Sequence, residues 1–329
     1  MEILSELTPS ASTPTLRFPA SSDNDLTWVE FALIGRAGGR AELRDRIGHA
    51  IRRSYDQVYN GQSTGHFHWA QLSKTEKTHC GSVVEIWLQR ELGLADGENL
   101  DFAIGGFDVD CKFSQKMNGW MLPPEVRGGI AMVVTADDYS GIWSLGLVWV
   151  TDDRLRESTN RDRKSTLNDA GRAAICWLFR DEPIPANALL QISPEDAVAI
   201  MCETDGMRRR SGQRRLNELF RRAQGRRISR NVIATVARQG DFMKRVRSNG
   251  GARTGLQEEG IVLLGHYERH RQIVAALGFS PPNAGEIVSI RLTNAEADWS
   301  GPAFELDGHW WRTATDADPV VKAPRIPHT

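Results

Sequence analysis

The eight residues FDVDCKFS, at 107–114, alternate apolar and charged side chains along most of their length. On an extended chain successive side chains point to opposite faces, so Phe107, Val109, Cys111 and Phe113 share one face and Asp108, Asp110 and Lys112 the other. A surface strand accounts for that alternation by itself, so the flanks must give it meaning. Upstream, DFAIGG at 101–106 is a second short strand, joined to the first by Gly105-Gly106 as a hairpin. Downstream, after MLPPEV, the runs GGIAMVVTA and GIWSLGLVWV are two more strands. Helices precede them. One begins near Trp28 and continues through VEFALIG. A second covers roughly 41–59, with Leu43, Ile47 and Ile51 on one stripe and Gly61 and Gly65 closing it. A third covers about 81–92, with Val84, Trp87 and Leu88 inward. Helices followed by returning strands predict an α/β core around a mixed sheet, ending near Val150.

The chain has 329 residues, about 40% of them hydrophobic, enough for one large domain or two ordinary ones. Residues 1–24 are rich in Ser, Thr, Pro and Asp and read as a flexible extension, without the basic start and apolar run of a secretory signal. No apolar run is long enough for a membrane span. Cys80, Cys111, Cys176 and Cys202 have no zinc-knuckle spacing, and without an export signal they read as reduced thiols in a cytoplasmic protein. His266 and His270 lie four apart, but the His-Glu-x-x-His pattern of a zinc hydrolase is missing.

A net charge of −1 conceals an uneven distribution. Between Gly81 and Asp110 there are seven Asp or Glu and one Arg; between Arg208 and Arg247 there are fourteen Arg or Lys against Glu218 and Asp241. That basic stretch reads as helices over 214–225, 229–238 and 241–248, with a strand in GIVLLGHY to follow. Helices joined by a short glycine-containing turn, then a strand, fit a helix-turn-helix with a wing. A boundary between the two parts falls in 151–185, near DEPIP. Lys244, Arg245, Arg247 and Arg253 are the candidates to face DNA, the start of the 241–248 helix entering the major groove. Arg226 and Arg227 are candidates for the phosphate backbone, as are Lys74 and Lys77 in the first part.

In the acidic part, Glu85 lies on a helix, Asp101 opens a strand, and Asp110 and Lys112 share a face of the next. Magnesium takes hard oxygen ligands, often one or two carboxylates completed by water and phosphate. Asp101 and Asp110 on neighbouring strands can converge on one ion, with Lys112 reaching the attacking water or the scissile phosphate. Asp108 has the same parity but no lysine two positions on, and reads as a surface or supporting carboxylate.

The blocks QLSKTEKTHCGSVVEIWLQREL, IGGFDVDCKFS with GWMLPPE, LNELFRRAQGR and VIATVARQGDFMKRVRSNGGAR together resemble the NaeI-type restriction endonucleases, from about residue 40 to the C-terminus. The resemblance implies a PD-(D/E)xK endonuclease domain over 25–175 and a winged-helix domain, similar to catabolite-activator and topoisomerase modules, over 176–329. It implies a homodimer that cuts duplex DNA with Mg2+ and binds a second DNA site as effector, at a G/C-only palindrome in the manner of GCCGGC with blunt ends. Carried over by motif, the catalytic and metal-binding carboxylates fall on Glu85, Asp101 and Asp110, and the catalytic lysine on Lys112. Leu100 stands where the wider superfamily often has proline. In the ligase-like stretch DQVYNGQSTG, Val58 takes the lysine position, so covalent adenylation is not expected, and Asn60 and Ser63 replace the usual Asp and Arg.

Two other readings remain. A DNA-binding regulator would bind without cleavage and without regard to magnesium. A topoisomerase or recombinase would need a nucleophile, and Tyr55, Tyr59, Tyr139 and Tyr267 have no convincing setting for one.

Overall fold

In the computed structural model, residues 23–157, 161–206, 208–209, 211–247 and 250–327 are described. Of the expected extension over 1–24, all but Asp23 and Asn24 lie outside them, and those two open helix α1 (Asp23–Ala37). Leu26, Val29, Leu33 and Ala37 form the buried stripe of α1. Helix α2 (Arg40–Tyr59) buries Leu43, Ile47 and Ile51 completely, together with Tyr55 and Tyr59. The short turn α3 (Gly61–Thr64) follows, and then α4 (Lys74–Leu92).

Helix α4 starts well before the expected residue 81, for a local reason. Ser73 and Glu76 form a reciprocal capping box: Glu76 N donates to Ser73 Oγ at 3.3 Å and Ser73 N to Glu76 Oε2 at 2.7 Å. Val84 and Leu88 are buried as expected. Trp87 is only half-buried, donating to Gln57 Oε1 at 2.8 Å with the Arg53 guanidinium 5.0 Å from its ring centre.

Six strands form one sheet in chain order: β1 (Ala95–Asp96), β2 (Phe102–Ile104), β3 (Phe107–Ser114), β4 (Ile130–Asp137), β5 (Ile142–Trp149) and β6 (Cys176–Pro183). Strands β2 and β3 are antiparallel, turning at Gly105 and Gly106 with φ of 61° and 90°, a backbone that disfavours any side chain. Strand β3 then pairs in parallel with β4, Asp110 opposite Ala131 and Lys112 opposite Val133. The sheet is therefore mixed, as the alternation of helices and strands implied. It does not stop at Val150, because β6 joins it. Strand β4 is buried on both faces from Ile130 to Ala136, which explains its continuous apolar run.

The chain divides into two compact units. The first takes the described residues through Ile47, with Leu88–Ala136 and Trp143–Glu182. Trp120, Val126, Val133, Val148 and Leu167 belong to its core. The second takes Gly48–Trp87, Asp137–Ile142 and the described residues from Pro183 onward. Its C-terminal part packs helices Pro194–Met201, Gly212–Arg222 and Arg230–Ala237 around Leu216, Phe220 and Ile233. Strands Ile261–Leu264, Glu286–Asn294, His309–Thr313 and Phe304–Leu306 lie side by side in that order, and Ile228–Ser229 pairs onto Glu286–Asn294.

The expected helix over 241–248 does not form. Lys244, Arg245, Val246 and Arg247 each donate their N–H three residues back, giving a tight spiral with one 3-10 turn at Lys244–Val246. Around it, one carbonyl is bonded by a side chain and another is closely packed. Gln213 Nε2 donates to Arg245 O at 2.9 Å, and Gly251 packs so closely that a Cβ there would fall 2.4 Å from Arg247 O. Ser248, at the end of the expected helix, lies outside the described residues.

The four cysteines are free, and burial pushes the Cys80 thiol up to about 12. Buried His270 accepts from Gly265 N at 3.0 Å, while His266 Nδ1 lies 3.1 Å from Pro282 O. Among the described residues no helix is long and apolar enough to cross a membrane.

Candidate active site

Strand β3 carries two members of the site and β2 begins just after the third. The charged face predicted for β3 is not a solvated one. Asp110 is only 3% exposed, as buried as Val109 and Cys111 around it. Lys112 Nζ donates to Asp110 Oδ1 at 2.7 Å, to Asp101 Oδ2 at 3.3 Å and to Cys111 O at 2.9 Å. All three protons of the ammonium are thus engaged. Asp101 Oδ2 also accepts from Cys111 N at 2.7 Å.

The electrostatics follow from this packing. Burial pushes the Asp110 carboxyl up to about 6, against the pull of Lys112, and the charges of Asp101 and Glu125 add to the push. Burial by itself would lower the pKa of Lys112. The bond to Asp110 and the charges of Asp110 and Asp101 outweigh it, and the ammonium titrates above its ordinary value. The lysine stays protonated at neutral pH.

One atom of the site is left over. Asp110 Oδ2 is buried without a hydrogen-bond partner. A buried carboxylate oxygen with no donor is unfavourable unless something electropositive reaches it. Among the described residues no group of three or more His, Cys, Asp or Glu is arranged to hold a metal. The orphaned Asp110 oxygen and the neighbouring Asp101 carboxylate are hard oxygen donors of the kind a divalent cation takes. Glu85 is half-buried on α4 and belongs to the second unit.

Comparison with known proteins gives the family of the chain. The model of one protein family, described as Restriction endonuclease NaeI, matches residues 44–322. The curated type II restriction enzyme NaeI of Lentzea aerocolonigenes is 43% identical to the chain over 284 residues, 86% of this chain and 89% of that one. The chain belongs to the NaeI restriction endonuclease family. It is a type II restriction endonuclease, and its substrate is DNA.

A NaeI-type chain must also grip its substrate. Lys74 is exposed and Lys77 half-buried in the first turn of α4. Lys244, Arg245 and Arg247 are exposed on the 3-10 spiral, with Arg245 3.1 Å from Asp241. Arg226 and Arg227 are half-buried, and Arg227 lies 3.8 Å from Glu286. Arg253 is half-buried, and burial lowers its pKa.

Two parts of the site were not found from sequence. The backbone N–H of Cys111 holds Asp101, and no side-chain pattern reports on a backbone donor. Glu125, in MLPPEV, lies close enough to act on Asp110, and nothing in that segment pointed to it. Asp108, read from its parity with Asp110 as a surface or supporting carboxylate, accepts from Glu98 N at 2.8 Å and Asn99 N at 2.9 Å and so is engaged with the loop before Asp101.

Proposed function

We propose that the chain is a Mg2+-dependent, site-specific deoxyribonuclease that hydrolyses phosphodiester bonds of duplex DNA with Asp101, Asp110, Lys112 and Glu85 as its catalytic set. The observation that carries this reading is Lys112 Nζ held between Asp101 and Asp110, beside the unpartnered Asp110 Oδ2. Asp101 and Asp110 would hold the cation, with Glu85 assigned to it from the sequence motif. Bound magnesium supplies a polarised phosphoryl oxygen, a more acidic water and an offset to developing negative charge. Lys112, an ammonium at neutral pH, donates to the phosphate or orients the attacking water and does not remove its proton. Water adds to phosphorus, the bond to the leaving sugar oxygen breaks, and the proton that the water gives up to solvent is balanced by one that solvent supplies to the leaving oxygen, which departs as a hydroxyl.

The division of labour follows the sequence reading, with an endonuclease domain over 25–175, to which β6 is now added, and a DNA-gripping domain in the rest of 176–329. Helices Gly212–Arg222 and Arg230–Ala237, with strands Ile261–Leu264 and Glu286–Asn294, make up the winged-helix module in this reading. Lys244, Arg245, Arg247 and Arg253 face DNA there, Arg226 and Arg227 hold phosphates, and Lys74 and Lys77 do so on the endonuclease side. A homodimer, a G/C-only palindrome such as GCCGGC cut to blunt ends, stimulation by a second DNA site and a bacterial cytoplasmic setting rest on the likeness to NaeI. Digestion of plasmids carrying one or two such sites, with and without Mg2+, tests the reading. Cleavage only with the metal, at the palindrome, is expected. Binding without cleavage at any metal concentration would favour a regulator and overturn it.

A further inference from the structure

The hydrogen-bonded register of β2 with β3 ends one residue short of the site. Its last pair towards the site is Phe102 with Val109, so Asp101 lies just outside the ladder. What holds the backbone ahead of Asp101 is Asp108. Its two carboxylate oxygens each accept one N–H from the loop over 97–100, Oδ1 from Glu98 at 2.8 Å and Oδ2 from Asn99 at 2.9 Å. The loop closes around that carboxylate tightly. A Cβ on Gly97 would fall 2.4 Å from Leu100 O and 2.9 Å from Asp108 Oδ1, and Gly97 N reaches Asp101 O at 3.4 Å. Asp101 leaves this loop two residues after Asn99 and presents Oδ2 to Cys111 N and Lys112 Nζ.

We infer that Asp108 is a positioning residue for DNA cleavage: by clamping the 97–100 loop it sets where Asp101 stands relative to Asp110 and Lys112. The inference rests on the reading of Asp101 and Asp110 as cation ligands. The chemistry requires a carboxylate at 108, because two converging N–H donors need two acceptor atoms. An asparagine supplies one acceptor and turns its NH2 against the other N–H. Loss of a partner that orients a metal ligand typically weakens metal affinity about 10–100-fold.

The test compares the full-length wild type with Asp108→Asn, Gly97→Ala and Asp101→Asn. Mn2+ binding is followed by calorimetry, cleavage rate is measured as a function of Mg2+ concentration, and thermal unfolding serves as a check on the fold. Asp108→Asn is expected to weaken Mn2+ binding by about 10-fold or more. Its Mg2+ midpoint rises by a similar factor while the rate at saturating Mg2+ recovers most of the wild-type value. Gly97→Ala disturbs the same loop from the other side and is expected to show the same split, so the inference does not depend on one variant's folding. Asp101→Asn is expected to lose Mn2+ binding without recovery at high Mg2+. If Asp101→Asn behaves so while Asp108→Asn and Gly97→Ala keep wild-type Mn2+ affinity and Mg2+ midpoint, the positioning role is refuted and the site reading stands. Wild-type Mn2+ affinity in Asp101→Asn would overturn the site reading itself.

Discussion

Lys112 reaches back two positions along its own strand to Asp110, with Nζ 2.7 Å from Oδ1. That ammonium sits beside a buried carboxylate and keeps its proton, so on the proposed reading it would act by donating to charge that develops during reaction. Lys112→Ala should therefore bind DNA and lose roughly 10²–10³ in cleavage rate, about 3–4 kcal/mol. Single-turnover cleavage and a gel-shift titration check the two halves of that statement. Near wild-type cleavage would remove the lysine from the reaction.

The same pair makes a pH prediction for the metal-free protein. The Asp110 carboxyl is raised from 3.8 to about 6 in the fold, chiefly by burial. A raised carboxyl favours folding while it is protonated, so that stability is present below about pH 4 and is lost as pH rises through about 6. The difference is worth about 3 kcal/mol. Asp110→Asn, which cannot ionise, should unfold at a higher temperature than the wild type at pH 8 in a chelator. That gap should shrink as pH falls below 6. Differential scanning calorimetry across that range measures it, and a gap independent of pH would contradict the burial argument.

A second buried charge pair joins Arg52 on α2 to Asp138, the residue after β4. Arg52 donates to Asp138 with Nη1 at 2.5 Å and Nη2 at 3.2 Å, and Tyr59 adds its hydroxyl to Asp138 Oδ2 at 2.8 Å. Removing one partner leaves a buried charge uncompensated, so Arg52→Met should cost about 3–5 kcal/mol. The double change with Asp138→Leu should cost less than the single one. Urea unfolding of the three proteins decides this, and a larger loss in the double variant would show that the pair is net stabilising.

The turn α3 lies against helix Arg230–Ala237 with no spare space. A Cβ on Gly61 would fall 2.2 Å from Thr235 Oγ1 and 2.7 Å from the backbone oxygen of His66. Gly61→Ala should destabilise the protein by about 1–3 kcal/mol through overpacking. Adding Thr235→Ala should restore part of that loss, since the clash with Thr235 is relieved and the backbone one is not. Strict additivity in a double-mutant cycle would rule out that clash as the cause.

For the basic spiral, Arg245→Glu with Arg247→Glu should weaken stimulation of one-site plasmid cleavage by an added uncleavable duplex. It should also flatten the salt dependence of DNA binding by about one unit of slope for each phosphate that the variant no longer neutralises. Cleavage of one-site and two-site plasmids at two salt concentrations provides the comparison. Equal rates on both plasmids in the wild type, unaffected by the duplex, would mean that cleavage needs no effector.

What could be read from residues alone was whatever local geometry dictates. The period of two in FDVDCKFS put Asp108, Asp110 and Lys112 on one face, and Gly105-Gly106 marked the hairpin that brings Asp101 towards them. The blocks around Glu85 and Asp110 resemble the NaeI family, to which the chain belongs. Periodicity assigns a face but not what covers it. Asp110 is buried on a face that its pattern would leave to solvent, and β3 pairs in parallel with β4, a pairing of residues about twenty apart that no strand pattern reports. That packing raises the Asp110 carboxyl and leaves Oδ2 without a donor. The 241–247 spiral also sits in a setting that no local pattern reports, with Gln213 bonded to Arg245 O and Gly251 packed against Arg247 O. Residue types and short-range geometry chose the chemistry; long-range pairing set the burial, the charge state and the place of Asp101.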